Sequence, residues 1–138
     1  MAGRAGRDLT ARAVAVRFTI DHDKRYVEAR AEGEIGLEDF EEFLDAIVVQ
    51  GALAYRKLID TRRAIGKLSD DDIMMLGARM SAYTSGLGPR GAIAFVVASP
   101  APSSIPTRVI NLARADRPAR VFRSVDEARK WLADQPEI

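Results

Sequence analysis

The chain has 138 residues, 47% of them hydrophobic and 30% charged, with 21 basic against 20 acidic side chains, one histidine and no cysteine. That length fits one domain whose core, burying roughly two-thirds of the unfolded surface, needs no metal or disulfide staple. The missing cysteines exclude disulfides, thiolate nucleophiles and thiolate metal sites, and a net charge of +1 excludes a strong global pull toward nucleic acid or an anionic membrane.

Residues 1–13, "MAGRAGRDLTARA", read as a flexible basic N-terminal arm. They lack the apolar core of a signal peptide, so a cytoplasmic location is expected. In 14–21, "VAVRFTID", Val14, Val16, Phe18 and Ile20 alternate with Arg17 and Thr19, the period of a half-buried strand. A polar turn, 21–25, leads to a second alternating run, 26–35, with Val27, Ala29, Ala31 and Ile35 on one face. The two form an antiparallel hairpin with one wet face. The period then changes: Leu37, Phe40, Phe43, Leu44 and Ile47 make a helix stripe in 36–49, with an acidic outer face from Glu38 to Asp45. Residues 55–61, "YRKLIDT", read as a short strand. A helix over 68–83 starts at Ser69, with Asp72 completing a variant capping box and Ile73, Leu76, Met80 and Tyr83 facing inward.

The run "GAIAFVVAS", 91–99, is apolar on both faces, as expected of a strand in the middle of a sheet. Its apolar core is far shorter than the ~20 residues of a membrane span. A helix over 103–116 is capped by Ser103 or Ser104, with Pro106 in its first turn and Ile105, Val109 and Leu112 as its stripe. A strand at 119–123 and a helix at 124–134, opened by Ser124 and Glu127, end the domain, and 135–138 are a tail. The order β-β-α-β-α-β-α-β-α predicts an α/β fold, a single domain over 14–134 with a mixed, mostly parallel sheet.

The strings "VRFTID", "GEIGLEDF", "KLIDTR" and above all "VFRSVDEARKWL" resemble, in this order, the SpoIIAA-like branch of the STAS fold, a family of STAS/SEC14-type small bacterial proteins. The resemblance implies strands in chain order with helices wound around them. It also implies relatives that antagonise anti-sigma factors under control of a phosphorylated Ser or Thr. In those relatives a D-S-S/T-G-L-G-type motif follows the third strand and opens the second helix. Here that position is "KLSDDDI", 67–73, which keeps Ser69 and lacks the glycines. The similar letters "TSGLG", 84–88, fall after the helix, where Gly86 or Gly88 is read as a C-cap and Pro89 stops continuation.

Ser69 is thus both a helix cap and the candidate regulatory phosphosite. His22 is read as a solvated turn histidine, the acidic face 38–45 as a solvated helix surface, and Arg114, Arg117, Arg120 and Arg123 as scattered, without the interleaved aromatics of a nucleic-acid site. Ligands of open α/β sheets bind beyond the carboxyl ends of parallel strands. Those ends, read as the turns 60–63 and 99–104, offer Asp60, Thr61, Arg62, Arg63, Ser99 and Ser103 as a candidate ligand or partner rim. No cofactor, metal, nucleic acid or membrane span is expected, and no catalytic constellation is visible. The first functional expectation is a non-enzymatic regulatory or protein-interaction domain with a regulatory protein partner. The second is a SEC14-like carrier of a small apolar or anionic ligand, with Met74, Met75, Met80 and Tyr83 as lining. Exposed strand edges permit a homodimer.

Overall fold

The computed structural model describes residues 15–99, 101, 104–114 and 117–137. The basic arm, Val14 and Ser103 lie outside them. Strand β1 (Val16–Asp21) turns back into β2 (Tyr26–Gly36), which is followed by α1 (Leu37–Val49), β3 (Arg56–Lys67), α2 (Asp70–Leu87), β4 (Ile93–Val96), α3 (Ile105–Ala113), β5 (Ala119–Phe122) and α4 (Val125–Ala133). The sheet runs β1-β2-β3-β4-β5, antiparallel at β1–β2 and parallel elsewhere. This is the expected mixed α/β architecture.

Alternation sorts the strands onto two faces. Val27, Ala29, Ile59, Ile93, Phe95, Val97 and Ala119 point to one side, where Phe43 and Ile47 of α1 and Val109, Ile110 and Ala113 of α3 meet them. Helix α2 lies against both of those helices, burying Ile73, Leu76 and Met80. Leu58, Ala94 and Val96 point to the other side, which α4 covers with Ala128 and Leu132. Every residue of β4 is buried, so the apolar run read as a central strand is covered on both faces.

Two elements are longer than the sequence predicts. Strand β3 continues six residues past Thr61, because Glu32–Gly36 of β2 supply a pairing partner for Arg63–Lys67. Helix α2 runs to Leu87 through the Thr-Ser-Gly stretch, aided by the Thr84 hydroxyl, which donates to the Met80 carbonyl at 3.1 Å. It ends where Gly88 adopts φ +94°, a conformation that favours glycine. Gly91 has a different role. A Cβ there would lie inside van der Waals contact of the Ala54 and Tyr55 carbonyl oxygens, so only glycine lets the chain entering β4 pass this loop.

Candidate functional site

Ser69 stands at the start of α2, exposed to solvent. Its hydroxyl accepts from the Asp72 amide at 3.1 Å, and its own amide donates to the Asp72 carboxylate at 3.0 Å. This is the reciprocal cap expected of the Ser-Asp spacing. Asp70 is committed elsewhere, to Arg108 of α3 at 2.6 Å, which ties the starts of α2 and α3 together. Around this helix start the chain holds large apolar side chains in water: Ile65 is 58% exposed, Met74 70% and Met75 54%. Met74 and Met75 therefore line no interior space, against the expectation; Met80 alone of that methionine set is buried.

The rim residues are not a turn. Asp60, Thr61, Arg62 and Arg63 lie inside β3, where Ala31 of β2 stands opposite both Thr61 and Arg62. Such a bulge re-aims the side chains around it. Thr61 is buried, and its hydroxyl donates to the Val96 carbonyl at 2.9 Å, closing the β3–β4 ladder where regular pairing stops. Asp60 takes a two-pronged contact from Arg62, at 3.0 Å from Nε and 2.8 Å from Nη2. Burial pushes the Asp60 carboxyl up, but the hydrogen bonds from the Arg62 side chain and amide, with the charges of Arg62 and Arg30, outweigh it and hold it below the usual carboxylate range. Arg63 is exposed, and Ser99 is exposed just past β4. The strand pairing brings Thr61 beside the end of β4. Ser69 lies on the order of 30 Å further along the chain path from Asp60, at the ~3.3 Å per residue of a strand. Ser69 and the rim are therefore two places, not one.

No family model matches the sequence, and no curated protein matches it. Solved structures do match. One is an uncharacterised protein of the DUF3478 family with a SpoIIAA-like fold from Shewanella loihica, 18% identical, with 86% of this chain and 93% of that one covered and a TM-score of 0.56. The fold is SpoIIAA-like. The anti-sigma factor antagonist SpoIIAA in its unphosphorylated form is also similar, at 15% identity, 87% and 99% coverage and a TM-score of 0.55. So is an anti-sigma factor antagonist from Mycobacterium paratuberculosis, at 21% identity, 86% and 95% coverage and a TM-score of 0.53.

On this SpoIIAA-like frame several charged side chains turn out to be structural. His22 is not merely solvated: its Nδ1 lies 2.8 Å from the Tyr55 hydroxyl, and the rings meet edge to face. Two residues of the acidic α1 face, Glu41 and Asp45, receive Arg79 of α2 at 3.0 and 2.7 Å. Of the arginine series, Arg117 is buried and donates to the Gly91 carbonyl, Arg114 donates to Ala119, and Arg120 lies over Phe122. Among the described residues, no cluster of three or more His, Asp or Glu is placed to hold a metal ion. No helix among them is long and apolar enough to cross a membrane.

Sequence reasoning missed Lys57, which is only 4% exposed beneath α1–α3. Its amine donates to the Leu53 and Tyr55 carbonyls, both at 2.7 Å. Burial first, then the charges of Arg117 and Arg90, hold its pKa well below the ordinary lysine value. Lys57, Arg90 and Arg117 border an apolar cavity of about 50 Å³ whose walls include Phe40, Ile47 and Phe95.

Proposed function

We propose that the chain is a non-enzymatic regulatory domain that presents the edge around residues 60–75 to a protein partner, with Ser69 as the residue whose phosphorylation switches capture. The observation that carries this reading is the exposed, capped Ser69 set among exposed Ile65, Met74 and Met75. Apolar side chains held in water beside a polar switch are the ingredients of a transient interface. The fold, shared with two solved anti-sigma factor antagonists, agrees with it. A phosphate on Ser69 would break the Ser69–Asp72 cap and meet Asp70, Asp71 and Asp72, adding like charge at the surface the partner touches.

The test separates binding from folding. Ser69→Ala loses the cap, at about 1 kcal/mol of stability, yet keeps partner capture. Ser69→Asp keeps a capping side chain yet loses capture. Pull-down from the native host with each variant measures the first, and urea unfolding the second. Equal capture by both variants leaves Ser69 a cap and nothing more.

A carrier role is the second reading, favoured by the apolar cavity and the buried Arg90 and Arg117 at its border, where an anionic head group would sit. At about 50 Å³ it is smaller than the ~150 Å³ that admits benzene. A ligand of acyl size therefore enters only if α1–α3 separate from the sheet. Native mass spectrometry of host-purified protein decides it, because a bare mass removes this reading.

A further inference from the structure

We propose that the open sheet face beside α4 is a docking surface for an acidic helix of a partner protein, held by Arg17 and Arg30. Among the described residues, one sheet face carries α1, α2 and α3, while the other carries α4 alone, packed over β3–β5. This leaves β1, β2 and the near side of β3 as the floor of a groove, with Val125 and Arg129 of α4 as its wall. A helix lying parallel to that wall would complete the missing layer.

The charge of the groove sets the chemistry of its occupant. Four arginines line it, Arg17, Arg30, Arg62 and Arg129, against two carboxylates, Glu28 and Asp60. Both carboxylates are already taken by two-pronged contacts. Arg129 donates to Glu28 at 3.0 and 2.8 Å, and Arg62 to Asp60 at 3.0 and 2.8 Å. The remaining cations, Arg17 and Arg30, stand directly opposite each other on β1 and β2, and both are exposed. Like charges in that register repel and destabilise a strand pair. Neither forms an ion pair with a carboxylate among the described residues, although the Asp60 carboxylate feels the Arg30 charge. An incoming pair of carboxylates would relieve that repulsion, and glutamates one helical turn apart present such a pair on one face.

Other occupants fit less well. The chain's own first 13 residues carry Arg4, Arg7 and Arg12 against Asp8, the wrong sign. Nucleic acid would want an aromatic platform for its bases. The one aromatic in the groove's lining, Phe18, turns its ring to Phe43 on the opposite face. This inference does not depend on Ser69, although Asp60 and Arg62 of the groove stand at the start of the 60–75 edge.

The test is an NMR titration of the full chain with a synthetic helical peptide bearing glutamates at i and i+4. The Arg17 and Arg30 side-chain Nε–H signals and the β1–β2 amides shift saturably. An Arg17→Gln, Arg30→Gln double variant binds about tenfold more weakly, while it unfolds at the same or higher denaturant, because a repulsion has been removed. The Arg17→Lys, Arg30→Lys variant retains binding, a peptide with Gln for Glu loses it, and Arg114→Gln changes nothing. Shifts confined to other surfaces, or a double variant that binds as tightly as the parent, would overturn the proposal. So would a single-stranded oligonucleotide of equal charge that binds as well as the peptide. Self-association of the chain abolished by the double variant would also overturn it, by assigning the groove to the acidic α1 of a second copy.

Discussion

The two hydrogen bonds of the Lys57 amine use both donors that a neutral amine possesses. With its folded pKa depressed, the unfolded chain binds a proton that the folded chain does not, in the window between the two values. Stability therefore rises with pH through that window, up to the ordinary lysine value. Urea unfolding of the parent and of Lys57→Met, compared from neutral pH to about pH 10, shows the parent gaining relative to the variant. Parallel curves would mean that the amine titrates as in water. Lys57 was not legible in the sequence. In "YRKLID" a lysine beside an arginine reads as a wet position, and nothing local says that Arg56 goes to the α4 carbonyls while Lys57 turns under three helices. Ser69 was legible, because a cap is decided within four residues. Thr61 was legible as a residue beside the end of β4 but not as one spent on closing the ladder, since that acceptor, Val96, is 35 positions away.

Between elements, Arg79 joins α1 and α2. It reaches Glu41 and Asp45 on α1 and also donates to Tyr83, whose hydroxyl donates to Asp45 at 3.0 Å. The hydrogen bonds from Tyr83 and then Arg79 hold the Asp45 carboxyl below its usual range. These groups are largely exposed, so each pair contributes little alone. Acting as a network, they are expected to hold α1 against α2, so Arg79→Met unfolds at a lower urea midpoint while Lys at the same position recovers only part, because a single ammonium cannot fork. Hydrogen exchange in α1 and α2 reads the same change as faster local opening; unchanged protection would remove the network from the account. Helix and strand types followed from periodicity throughout. Ends did not, where long-range pairing decided them: Arg63–Lys67 look like loop until Glu32–Gly36 are laid beside them.

For the whole molecule, both sheet faces share β3 and β4, so neither layer can come apart without exposing the other. Trp131, the single tryptophan, packs beside Phe122 on the α4 side, whereas far-ultraviolet circular dichroism reports α1 to α4 together. The two signals are expected to lose their native values at one urea midpoint; separate midpoints would divide the molecule into independently melting layers. The β-α alternation made the layered architecture readable from the sequence, because each apolar period demands a covered face. The open groove was not readable, since it depends on where α4 stops. The strand order carries one more consequence, for synthesis. Each strand hydrogen-bonds to the one made just before it, so a polypeptide leaving the ribosome N-terminus first never has to wait for a distant partner or thread a late strand between early ones. Growth by accretion at a single margin leaves β1 as one fixed edge and confines the growing edge to the newest strand.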